Sequence, residues 1–122
     1  MTSLRVLNLS DCRLRAVPAF VGELESLTKL DFGSNWELGD DNEAPQNEAF
    51  PANLRKLTSL RDFRLDYCGL RAVPAFVGKL KELEELDLFG NMEEIYSTID
   101  FLIEGCPCLR EVLGGRDGRR RS

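Results

Sequence analysis

The sequence predicts an α/β solenoid, with a parallel β-sheet on the concave face and turns, short 3-10 or helical segments on the convex face. Three observations predict it. The stretch Leu14-Arg15-Ala16-Val17-Pro18-Ala19-Phe20-Val21-Gly22 returns unchanged as Leu70-Arg71-Ala72-Val73-Pro74-Ala75-Phe76-Val77-Gly78, 56 residues later. Around it, residues 2–35 match residues 58–91 at about 20 of 34 positions, and self-similarity at a fixed offset marks stacked repeats. Leu7 and Leu9 alternate with Val6, Asn8 and Ser10, the period-2 pattern of a short strand with one buried face.

Written in register from Leu4, the units are legible one below another. The first, 4–26, carries Leu4, Leu7, Leu9, Cys12, Leu14, Val17, Pro18, Val21 and Leu24. The second, 27–59, has Leu27, Leu30, Phe32 and Asn35, an acidic insertion near 36–49, then Phe50, Pro51, Leu54 and Leu57. The third, 60–82, repeats the first with Leu60, Phe63, Leu65, Cys68, Leu70, Val73, Pro74, Val77 and Leu80. The fourth, 83–108, opens on Leu83, Leu86, Leu88 and Asn91, and a partial unit at 109–113 holds Leu109 and Val112.

This spacing, L-x-x-L-x-L-x-x-N/C-x-L, resembles the leucine-rich repeat. The convex half, L-x-x-V-P-x-x-V-G-x-L, is similar to the class of about 23 residues found in intracellular, Ras-suppressor-like repeat proteins. The resemblance covers residues 1–113, one repeat domain, and implies a protein-interaction module in the cytoplasm. It also leaves open a regulatory segment of a larger signalling enzyme, or a structural spacer.

Each repeat position has a physical reason. Cys12, Asn35, Cys68 and Asn91 stand where the chain turns in from the sheet, and an amide or thiol there satisfies backbone groups the turn leaves unpaired. Pro18, Pro51 and Pro74 donate no hydrogen bond and fix φ, so they mark the convex run. Met1 falls where a convex leucine belongs and Leu109 begins a bare edge strand. Uncapped repeats expose apolar ends and strand edges, so self-association through those ends is expected.

Two stretches depart from the pattern. Residues 36–49 hold Glu37, Asp40, Asp41, Glu43 and Glu48 and no basic residue. They read as a polar loop at one rim, with Trp36 a lid over the core edge at its base. Asp40-Asp41-Asn42-Glu43 lacks the order of a calcium loop, so no metal is expected there. In the fourth unit Ile95, Ile99, Leu102 and Cys106 fall at i, i+4, i+7 and i+11, with Glu93 and Glu94 in the first turn: the spacing of a helix. Residues 114–122 are expected to form a basic, disordered tail.

Composition narrows the function. The 122 residues carry a net charge of −5 and no histidine. The tail contributes +3 of this, leaving −8 on the body. An acidic body disfavours a nucleic-acid duplex and favours a protein partner with a basic surface. No apolar run is long enough to span a membrane. Phosphate-loop, nucleophile-elbow and dinucleotide motifs are lacking, as is the commonest general base, so no enzyme activity, catalytic residue or cofactor is expected. Four cysteines do not spell a disulfide framework: Cys12 and Cys68 occupy the same position two units apart, roughly 10 Å at the strand spacing. Cys106-Pro107-Cys108 lacks the C-x-x-C spacing of zinc sites.

The binding surface follows from the register. Outward positions form the columns Val6, Lys29, Asp62, Glu85, Glu111; Asn8, Asp31, Arg64, Asp87; Ser10, Gly33, Asp66, Phe89; and Asp11, Ser34, Tyr67, Gly90. Tyr67 and Phe89 break the polar pattern, and exposed aromatics ringed by charge are favoured binding anchors. The expected partner-binding residues are Asn8, Asp31, Asp62, Arg64, Asp66, Tyr67, Glu85, Asp87 and Phe89.

Overall fold

Leu7, Leu30, Phe63, Leu86 and Val112 stand side by side, one from each of five parallel strands. The computed structural model describes residues 3–39, 50–99, 101–114 and 120–121. The strands are β1 (Val6–Asn8), β2 (Lys29–Asp31), β3 (Asp62–Arg64), β4 (Glu85–Asp87) and β5 (Glu111–Leu113), paired strictly in chain order. Each is three residues long, so a single inward side chain per strand lies between two outward ones. The ladder continues past the strand ends, with Phe32 N–H donating to Arg64 O and Leu65 N–H to Asp87 O. Arg120–Arg121 form β6, antiparallel to β5, while 115–119 and 122 of the expected tail lie outside the described residues.

The convex side is built from 3-10 turns because the apolar spacing there is three. Val21, Leu24 and Leu27 repeat as Leu54, Leu57, Leu60 and as Val77, Leu80, Leu83. A helix of three residues per turn stacks such positions on one face, and all nine are buried. Pro18, Pro51 and Pro74 open these turns in extended backbone, followed by the segments Ala19–Glu23, Ala52–Lys56 and Ala75–Lys79. Each proline carbonyl accepts the bond from the residue three further on, at 3.1 Å in every unit.

Between sheet and turns lies one core, with Phe32 and Phe63 meeting edge to face at 5.8 Å. A fully buried leucine or phenylalanine contributes roughly 1.5–3 kcal/mol, and each unit supplies several. The fourth unit buries Ile95, Ile99, Leu102 and Cys106, as the spacing predicts. Its backbone, however, is not one helix. A 3-10 segment, Glu93–Thr98, gives way to a short α-helix, α1 (Phe101–Gly105). Thr98, the last residue of the first segment, ties it to the unit before: its Oγ1 donates to Ile95 O and accepts from Val73 N–H. No helix among the described residues is long and apolar enough to cross a membrane.

The turn positions divide the work unequally. Asn35 Oδ1 accepts from the N–H groups of Cys12 and Leu14, while its Nδ2 donates to Leu9 O and Phe32 O. Asn91 does the same one module later, with Cys68, Leu70, Leu65 and Leu88. Each amide therefore clamps its own turn to the previous repeat. Cys68 adds its thiol, with Sγ 3.1 Å from Phe32 O and 3.5 Å from Asp66 O. Burial pushes its pKa up to about 12, so it stays a thiol.

Candidate concave binding site

The outward columns align as the repeat register requires. Lys29, Asp62, Glu85 and Glu111 are cross-strand partners, and so are Asn8, Asp31, Arg64 and Asp87. Directly opposed like charges destabilise a sheet, and Arg64 relieves this where it is most crowded. It sits between Asp31 and Asp87 on the flanking strands, with Nε 3.4 Å from Asp62 Oδ1. Partial burial opposes its charge, but the carboxylates of Asp62, Asp31 and Asp87 outweigh that and hold the guanidinium above its ordinary pKa. Arg64 is thus engaged within the face.

Asp66 and Asp87 are both pushed above the usual carboxylate range. For Asp66 the main cause is burial, followed by the charge of Asp87. For Asp87 it is again burial, partly offset by the bond accepted from Phe89 N–H and by Arg64. Four acids around one arginine leave a negative centre. At the other end of the strands, Glu85 lies 3.9 Å from Arg110, which also pairs with Glu84 at 3.2 Å. Asn8 is committed to its own turn, its Oδ1 accepting from Ser10 N–H. Among the described residues no group of acidic or cysteine side chains has an arrangement that would hold a metal ion.

Beside the acidic centre runs a row of aromatics. Tyr67 and Phe89 meet edge to face at 5.6 Å, and Trp36 lies on the other side of Tyr67 at 5.4 Å. Trp36 corrects the sequence reading. It is 57% exposed, so it is no lid over the core; it extends the row by one ring. The backbone forces this placement. Gly39 N–H donates to Cys68 O, and Gly69, at φ +68, comes so close to Trp36 O that a Cβ would lie 2.7 Å away. The turn Trp36–Gly39 is thereby pressed against the third unit, at the level of Tyr67. The available signal was the glycine at residue 69, where the first unit has Arg13.

Tyr67 itself has φ +53, in the left-handed region. Asp11, Ser34 and Gly90 at the same repeat position share that conformation. A bulky side chain is uncommon there, and the preference elsewhere in proteins is for glycine, asparagine or aspartate. The insertion near 36–49 falls largely outside the described residues, since 40–49 are not among them.

An open parallel sheet lined by short turns defines a solenoid repeat protein. Two leucine-rich repeat family profiles match the chain, one at residues 3–24 and one at 23–41. Residues 3–41 thus match leucine-rich repeats, and the described residues have the fold of a leucine-rich repeat solenoid. A solved leucine-rich repeat protein of Leptospira interrogans is similar at 27% identity, over 74% of this chain and 26% of that one, with a TM-score of 0.43. The chain thus spans about a quarter of the length of that relative. Leucine-rich repeat domains are in general protein-interaction modules.

Proposed function

We propose that the chain binds a protein partner with a basic surface on its concave face. One observation carries this reading: three aromatic rings, Trp36, Tyr67 and Phe89, lie in a row against an acidic centre built by Asp31, Asp62, Asp66 and Asp87. Aromatic anchors supply desolvation energy, and the surrounding carboxylates select and orient a cationic partner. Tyr67 adds a second argument. A ring held at φ +53 costs folding energy, and a surface position under strain gains its use from what it presents. The same acidic face repels the phosphates of a nucleic-acid duplex.

The test is quantitative capture from a cell extract on immobilised chain, with each retained protein then titrated in purified form. A partner retained by wild type should lose on the order of 2 kcal/mol or more on Tyr67→Ala with Phe89→Ala. Added salt should weaken it further, since charges beyond about 8 Å are screened at physiological ionic strength. The convex substitution Arg71→Ala should leave it unchanged. A partner indifferent to both aromatics and salt overturns the reading.

A further inference from the structure

The convex side carries a second surface, independent of the concave one. Between the turns Ala52–Lys56 and Ala75–Lys79 lies a groove of about 260 Å³. Its floor is aromatic, with the rings of Phe50 and Phe76 5.7 Å apart. The stacked Pro51-Ala52 and Pro74-Ala75 pairs form its walls, and Arg55 and Lys79 stand at its rim.

The groove exists here for a reason of register. Asn53, Phe20 and Phe76 occupy the same repeat position. Between the first and second units Asn53 reaches back, donates to Ala19 O at 2.9 Å and lies over Gly22, where any Cβ would collide with its side chain. That junction is closed. Between the second and third units the reaching residue is Phe76, which has no polar group to clamp the neighbouring backbone. Its ring turns inward onto Phe50 and Phe63 instead. Where the first unit has Gly22 beneath Asn53, the second has Arg55, and the groove opens between that side chain and the inturned ring.

The rim has a definite sign. Arg55 and Lys79 are exposed, with Lys56 beside them, and none of the three joins an ion pair among the described residues. In the first unit the position of Lys56 and Lys79 is Glu23. A cationic spot on a chain of net charge −5 attracts an occupant opposite to the one the concave face selects. The size limits that occupant further. Pockets for small molecules usually span roughly 300–1,000 Å³, and this one falls short of that while accommodating a single large side chain.

We infer that this groove docks an acidic segment of a protein partner, which inserts one aromatic or leucine-sized side chain between the two prolines. Carboxylates flanking that side chain meet Arg55 and Lys79. The chain therefore has two faces of opposite charge preference, so it can join a basic protein to an acidic one.

The test uses the full 15N-labelled chain and a defined probe, the acetylated and amidated peptide Glu-Glu-Trp-Leu-Glu-Glu. Amide shifts should cluster at residues 50–56 and 75–79 and spare the strands. Replacing Trp and Leu of the peptide by Ala should weaken binding about tenfold. Arg55→Gln with Lys79→Gln, both exposed and harmless to the fold, should weaken it at least about fivefold. Ala75→Trp, which fills the groove from its own wall, should abolish it. Shifts on the concave face, no shift up to about 1 mM peptide, or an unaffected double variant would each overturn the proposal. So would binding that emerges only after residues 40–48 are deleted, since the occupant would then be the chain's own acidic stretch.

Discussion

Tyr67 lays its ring over Gly90 of the following repeat, in the space a side chain there would fill. A Cβ at residue 90 would lie 2.5 Å from Tyr67 Cδ1. The two residues hold equivalent positions in adjacent units and both have positive φ. One glycine therefore lets one tyrosine lie flat and reach Phe89.

Gly90→Ala should cost roughly 2 kcal/mol, combining left-handed backbone strain with displacement of the ring. Urea denaturation followed by circular dichroism measures the loss, and Trp36 fluorescence in the native state should shift as the row reorganises. Gly114→Ala is the control. A Cβ there meets Tyr96 and Leu88 at ordinary distances of 3.5 and 3.6 Å, so its cost should stay within about 0.5 kcal/mol. Equal effects from the two substitutions would show that the Tyr67–Gly90 contact does not matter.

Asn91→Ala should be among the most damaging polar substitutions. It strands the N–H groups of Cys68 and Leu70 and the carbonyls of Leu65 and Leu88 at once. Unpaired buried groups cost about 1–3 kcal/mol each, and these four bonds are part-buried, so roughly 2–3 kcal/mol in total is expected. Asn8→Ala, which loses one exposed bond to Ser10 N–H, should cost under about 1 kcal/mol. The comparison is made on urea midpoints at fixed pH.

Acidification should stabilise the concave centre before it unfolds anything. Asp66 and Asp87 have pKa values raised in the folded chain, chiefly by burial. Between the ordinary carboxylate value of about 3.9 and the raised one, the folded state binds more protons than the unfolded. Their contribution to stability thus rises as pH falls through the raised values and declines toward neutral. Asp66→Asn with Asp87→Asn should exceed wild type in stability at pH 7, and this gap should shrink by pH 4.5. A gap that does not change with pH refutes the assignment. A basic partner on this face should also bind more weakly as the two acids take up protons.

Thiol chemistry should separate the four cysteines into two pairs. Cys12 and Cys108 are exposed and free, whereas Cys68 and Cys106 are buried. The buried thiols donate to Phe32 O and Val77 O. Burial raises both pKa values, for Cys68 to about 12 and for Cys106 with an added push from Cys108. Since the thiolate is the nucleophile, Ellman's reagent should titrate Cys12 and Cys108 in the native chain and all four in denaturant. Rapid native reaction at Cys68 would mean that the Asn35 turn opens readily.

What the sequence by itself determined is everything carried by a fixed period. The outward columns from Lys29 to Glu111 and from Asn8 to Asp87 were legible because a strand alternates every two residues and stacked units keep that phase. The convex apolar positions Val21, Leu54 and Val77 were legible in the same way, from the repeat register. Only the tertiary structure decided the features that belong to junctions between units. Trp36 joins Tyr67 because two glycine turns of different repeats touch, and no period within one repeat announces that approach. Arg64 is flanked by acids on both sides because its neighbours come from β2 and β4 as well as from its own strand. Thr98 is tied to the previous unit because stacking brings Val73 N–H to its hydroxyl. Repeat spacing is local and leaves its mark in every unit, whereas each of these contacts occurs once, between side chains that stacking alone brings together.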